Sequence, residues 1–143
     1  MRQFFGLCAV IAMLFGAQAA EAQQVRQMLN GFRAEQGLGP LAPSTRLERA
    51  AEVHALDMAR KGFFDHRGSD GSTVMDRVRQ AGYGACAIAE NIAQGQTSVS
   101  EVLGAWLQSD GHRANMLHPQ VVDYGLVRAS GDIWVLVLGR DGC

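Results

Sequence analysis

Positive charge is in no surplus in this chain: thirteen lysines and arginines stand against fourteen acidic side chains, for a formal net charge of -1. A polyanion partner requires a basic field, so nucleic-acid binding has no electrostatic footing. No apolar run reaches the roughly 18–20 residues of a bilayer-crossing helix, and a membrane span is not expected. Three prolines, with no repeat and no low-complexity stretch, leave little from which to build a linker. What remains of the 143 residues, 48% of them hydrophobic, fits one compact domain.

Cysteine is equally scarce. Of the three, Cys8 lies in an N-terminal stretch that has the layout of an export signal: Met1-Arg2-Gln3 is a short positive region, Phe4 to Phe15 is apolar, and Ala17-Gln18-Ala19 followed by Ala20-Glu21-Ala22 offers two small-x-small cleavage sites. Residues 1–22 are therefore expected to be a signal peptide, cut near 19–22, and residues 23–143 an exported domain, periplasmic or extracellular. Cys8 sits inside the apolar region rather than at the cleavage point, so lipid attachment is not expected. Removal of Cys8 leaves Cys86 and Cys143, an isolated pair in an oxidising compartment, and these are expected to form a disulfide.

Along the rest of the chain the period of the apolar residues alternates between two regimes. Val25, Met28, Leu29 and Phe32 predict a helix over about Gln23 to Gln36, and Gly37 stands where it would end. Thr45 with Glu48 forms a capping-box pattern ahead of a stripe of Leu47, Ala50, Ala51, His54 and Met58, stopped by Gly62. Ser72 is the expected cap of a third helix through Val74, Val78 and Ala81, and Ser98 with Glu101 opens a fourth that carries Trp106. One more helical turn is expected over His112 to Leu117. Ala87 to Ala93 lies between glycines and reads as a loop entering a short extended segment.

After Tyr124 the residues alternate as in strands, with a Ser130-Gly131-Asp132 turn. Ile133 to Leu138 is apolar without interruption, so this strand is expected to be central, with helices on both faces of its sheet. The expected fold class is thus α+β, a three-layer α-β-α sandwich.

Chemistry can be carried by the polar groups on connections. His66, Glu90 and His112 each lie in a short glycine-flanked polar segment. His54 falls on an apolar stripe, where a core role and a functional one are both open, and His118 precedes Pro119 in a turn. No G-x-S-x-G elbow supports a serine nucleophile.

Four stretches carry a resemblance: Phe63-Phe64-Asp65-His66 with Asp70-Gly71-Ser72; Ala89-Glu90-Asn91-Ile92-Ala93; Trp106 followed by Ser109-Asp110-Gly111-His112-Arg113-Ala114-Asn115-Met116-Leu117; and Gly125-Leu126-Val127 before Trp134. In this order they resemble the CAP superfamily of cysteine-rich secretory proteins, antigen-five allergens and plant pathogenesis-related proteins, in its bacterial form. The resemblance implies the same α-β-α sandwich and a shallow cleft with two histidines and two acidic residues, which in some members hold a divalent metal such as zinc. It maps the first histidine to His66, the E-N acid to Glu90 and the second histidine to His112. At the fourth position this chain has Ser109, and the neighbouring Asp110 is turned about 100° away on a helix.

The metal set expected from the resemblance is therefore His66, Glu90 and His112, converging to within about 4–6 Å, for zinc or another divalent cation. Without the second acid a general base for hydrolysis is missing. A ligand- or metal-binding module is the first expectation, with an apolar small molecule or a cell-envelope component as its partner. A metal-dependent hydrolase of peptide or cell-envelope substrates is the alternative, and a His-Glu-His network that only locks three loops together is a third account.

Overall fold

The computed structural model describes the backbone of residues 5–142 and the side chains of residues 16–142. Nine elements follow in order: α1 (Phe5–Glu35), β1 (Ala42–Pro43), α2 (Thr45–Lys61), α3 (Val74–Gln80), β2 (Ala85–Gln94), α4 (Val99–Leu107), α5 (Asp110–Met116), β3 (Asp123–Ala129) and β4 (Ile133–Asp141). The four strands form one sheet in the order β1-β3-β4-β2. β4 is antiparallel to both of its neighbours, while the two-residue β1 runs parallel to β3.

The central position expected for Ile133 to Leu138 is found. These residues divide between two cores by parity, as the pleat requires. Trp134, Leu136 and Leu138 pack with Val25 and Leu29 of α1, Val102, Leu103 and Trp106 of α4 and Met116 of α5. Ile133, Val135 and Val137 pack on the other face with Leu47, Ala51 and Met58 of α2 and Val78 of α3. The uninterrupted apolar run is therefore the signature of a strand buried between two helical layers, and the three-layer α-β-α architecture is what results.

α1 is longer than the expected helix and begins at Phe5. Its residues 16–24 are exposed, and its packed face starts at Val25. Near its end Arg33 is buried, and among the described residues no carboxylate pairs with it. Its guanidinium donates instead to the carbonyls of Gly39 (2.8 Å), Met116 (3.0 Å), His118 (3.0 Å) and Val121 (3.4 Å), which ties α1 to the chain leaving α5.

Two caps lie one residue from the expected position. Ser44, not Thr45, caps α2, its Oγ accepting from the Leu47 N–H at 3.4 Å. Thr73, not Ser72, caps α3 and forms a reciprocal box with Asp76. Ser98 caps α4 as expected, while the Glu101 carboxylate reaches back to the Thr97 N–H at 2.7 Å. Gly62 ends α2 at φ 69°, a left-handed conformation that a side chain would strain.

The largest departure is β2. The segment read as a loop with a short extended end is a ten-residue strand, paired with β4 from Ala85↔Asp141 to Gln94↔Ile133 with an irregularity between Ala85 and Ala87. Its alanine-rich sequence has little strand preference of its own. The long register with β4 supplies the pairing.

Candidate functional site

β2 is an edge strand, and its Glu90-Asn91 dipeptide sends consecutive side chains to opposite faces of the sheet. Glu90 enters the α2/α3 layer and is almost fully buried. Its Oε2 accepts from Arg77 Nη2 of α3 at 2.7 Å, and its Oε1 lies 2.8 Å from His66 Nδ1. Asn91 enters the α4/α5 layer, where its Nδ2 donates to the His112 carbonyl at 3.0 Å and its Oδ1 accepts from Asn115 at 2.8 Å. One dipeptide thus grips the His66 loop from one layer and the first turn of α5 from the other.

The outer edge of β2 is covered by the same helices. Asn115 Nδ2 also donates to the Glu90 carbonyl at 3.3 Å, and Trp106 Nε1 donates to the Ile92 carbonyl at 3.2 Å. The Trp106 ring lies 6.4 Å, centroid to centroid, from the His112 ring. These bonds satisfy carbonyls that a sheet edge would leave open.

His66 is held from behind and open in front. Its side chain is 56% exposed, although Nδ1 is bonded to a carboxylate only 2% exposed. The Glu90 hydrogen bond raises its pKa above the ordinary histidine value, against a smaller effect of burial. His112 is shifted the other way, first by burial and then by the repulsion of His66.

His54 lies beneath, fully buried on α2. Its Nε2 donates to the Asp65 carbonyl at 2.8 Å, one residue before His66, and lies 3.9 Å from Glu90 Oε1. Burial lowers its pKa, so it is the neutral form that the fold accommodates.

The remaining sequence candidates fall as follows. Ser109 is the N-cap of α5, and its hydroxyl makes no capping bond. Asp110 is turned to solvent, as expected, with its carboxylate 97% exposed and paired with Arg113. Cys86 lies at the β2 irregularity, and its expected partner Cys143 is outside the described residues. His118 is in a turn after α5, where its Nδ1 accepts from the Gln120 N–H at 3.2 Å.

Arg77 joins the cluster without a motif in the sequence to single it out. An arginine on a short helix reads as solvated, yet it lies on the stripe made by Val74, Val78 and Ala81, and that placement was the signal. Ser72 contributes its carbonyl to the same arginine, accepting from Nη1 at 3.0 Å.

As a metal centre the donor set is thin. Both Glu90 oxygens are engaged, by Arg77 and by His66, so ligation by Glu90 would require giving up one of these bonds. Among the described residues no group of three or more His, Cys, Asp and Glu is arranged to hold a metal ion. What the geometry offers instead is a half-exposed histidine oriented by a buried carboxylate behind it. A cavity of about 1020 Å³ lies elsewhere, bounded by Gln18, Glu21 and Val25 of α1 with Glu48, Leu126 and Trp134, and the three site residues do not line it.

The edge strand of this three-layer sandwich thus carries an E-N pair between the His66 loop and the first turn of α5. The profile of the Cysteine-rich secretory protein family (CAP) matches residues 26–137. The chain belongs to this family and is an exported protein.

YkwD of Bacillus subtilis is 35% identical over 117 residues, covering 81% of this chain and 46% of that protein. The chain spans less than half the length of the curated relatives it matches. Among solved structures, an extracellular SCP-domain protein of Bacillus anthracis superposes with a TM-score of 0.79 at 28% identity, over 83% of this chain and 40% of the other. An outer surface protein of Borrelia burgdorferi shares the fold with a TM-score of 0.79 at 21% identity, over 86% and 94% of the two chains. Among the described residues no helix is long and apolar enough to cross a membrane.

Proposed function

We propose that this protein is an exported binding module whose working group is the exposed part of His66, with His112, whose carbonyl is held by Asn91, as a second imidazole. The single observation that carries the reading is the chain His66–Glu90–Arg77. A buried guanidinium fixes a buried carboxylate, which fixes Nδ1 of an exposed imidazole. Such a carboxylate behind a histidine sets the tautomer and orientation of the ring and makes the other nitrogen a better donor to a cation.

A divalent cation such as zinc would be held by the two imidazoles, with Glu90 acting through His66 rather than as a ligand. Two protein donors make a weak centre, from which a chelator should remove the ion without unfolding the domain. Phe64, 47% exposed and two residues from His66, offers apolar surface for the body of a small molecule or cell-envelope component bound at the same place.

Hydrolysis of peptide or cell-envelope substrates would need a base beside a bound water. Both oxygens of Glu90 are already engaged, by the Arg77 guanidinium and by His66 Nδ1, and Ser109 takes no proton at neutral pH, so binding ranks above catalysis.

Titration of zinc into metal-free protein by calorimetry, at about pH 7.5 and about pH 5.5, tests the reading, because the proton and the cation compete for the same nitrogens. Affinity should fall at the lower pH and should be lost in His112→Ala. Equal affinity at both values, or an unaffected variant, would leave the three residues as a loop-locking network.

A further inference from the structure

The two edges of the sheet are finished differently. Side chains of α4 and α5 close the β2 edge, whereas at the opposite edge β1 pairs with β3 only at Asp123 and Tyr124. On that side the Ser44 N–H donates to the Tyr124 carbonyl at 2.8 Å, so the even-numbered residues of β3 turn their backbone groups away from β4. Leu126 and Arg128 are the next two of that parity. Among the described residues no strand pairs with them there. A strand edge with open donors and acceptors is a template for another chain.

This stretch of edge lies in the cavity of about 1020 Å³, where Leu126 to Arg128 run between the helices of the two layers. Val25 and Trp134 make the cavity apolar on the α1 side, while Glu48 and Glu52, one turn apart on α2, line it on the other with Arg49. Among the described residues neither glutamate is in an ion pair, and Arg128 is already paired with Asp132. The α2 wall therefore carries a net negative charge. Gln18, Ala19, Glu21 and Ala22 also line the cavity and fall within the expected signal peptide. Their removal leaves Val25, the β3 edge and the α2 wall, and widens the mouth.

We propose that this groove takes an extended basic peptide of a partner protein, which adds a strand to the sheet beside Leu126 and Arg128. The backbone groups of these two residues supply the affinity common to strand addition, and the walls supply the selectivity. Side chains of a strand alternate between its faces. One set then lies on Val25 and Leu126, and the other carries its positive charge to Glu48 and Glu52. A second copy of this chain is the poorer occupant, because its own β3 edge is set between helices in the same way and the helices would meet before the edges did. The groove is at the opposite edge of the sheet from Glu90 and does not depend on what binds the imidazoles.

Two end-capped synthetic peptides, one alternating valine with lysine and one alternating valine with glutamate, can be titrated into the exported protein at matched ionic strength and followed by backbone amide NMR. With the lysine peptide the Leu126 and Arg128 N–H signals should move saturably and exchange more slowly with solvent. The Gly125 and Val127 N–H groups, which face β4, should exchange as before. The glutamate peptide should bind about threefold to tenfold more weakly, the order expected of exposed charge pairs. Glu52→Lys, at an exposed position, should erase that preference with the fold intact. Arg128→Pro removes one outward N–H without touching the β4 ladder and should weaken both peptides alike. No response to either peptide, an equal response of even- and odd-numbered amides, or equal affinity for the two peptides would overturn the proposal. So would Leu126 and Arg128 shifts that grow with protein concentration alone, which would assign the edge to a second copy.

Discussion

Glu90 meets its neighbours with two oxygens, and the partner on each side is of a different kind: a permanent cation within the protein and a titrating ring at its surface. Replacing it by Gln leaves Arg77 buried without a counter-charge, so Glu90→Gln should lower unfolding stability by about 3–5 kcal/mol. Urea denaturation of the single variant and of a Glu90→Gln, Arg77→Met pair checks this, since the pair removes both charges and should recover part of the loss. The buried His54 gives a prediction in pH. Its folded pKa lies below the unfolded value of about 6.5, so its contribution is complete above that value and is lost as pH falls through the depressed one. His66 has the opposite sign, contributing below about 6.5 and losing its contribution as pH rises through its raised pKa. Denaturation midpoints should therefore fall between about pH 7 and pH 5 through His54, and His54→Asn should flatten that fall. His66 was legible in the sequence because it stands on a polar connection, whereas Glu90, read as part of such a connection, stands in the middle of β2. Arg77 and the role of His54 were not legible, because a charged or polar residue on an apolar stripe reveals its partner only after the layers have closed.

At the scale of elements, legibility followed how local the cause was. β4 was readable because burial on both faces is written into six consecutive residues. β2 was not, because its alanines are neutral and its register comes from a strand some forty residues away. The caps were readable to within one residue: in Ser44-Thr45 and Ser72-Thr73 either hydroxyl suits the position, and the backbone angles decide. The site itself rests on an element junction, the lapping of α4 and α5 over the β2 edge. Asn115→Ala removes donors to the Glu90 carbonyl and to Asn91 Oδ1 together, at a cost of about 1–3 kcal/mol. In amide exchange β2 should then open faster, while β4 remains among the slowest segments. Unchanged protection in β2 would mean that the edge is held by something other than these helices.

Over the whole molecule, the residues after β4 return to the start of β2: the Gly142 N–H donates to the Gly84 carbonyl at 3.3 Å, which sets Gly142 beside the strand that carries Cys86. A Cys86–Cys143 disulfide would close a loop of about 58 residues and contribute about 4 kcal/mol on chain-entropy grounds. Intact mass with and without reductant, on exported protein, should show one reducible bond, and two alkylatable thiols under denaturing, non-reducing conditions would disprove it. At Gly125 the layers are in close contact. A Cβ there would overlap the Glu48 nitrogen and the Leu47 carbonyl carbon, so the first turn of α2 rests directly on the bare backbone of β3. The same helix carries His54, and His54 holds the carbonyl of the residue before His66. Position 125 therefore bears on a histidine it never touches. A single methyl group there would have to push the backbone of α2 off the sheet, so the seat of the His66 loop depends on the absence of one carbon atom two elements away.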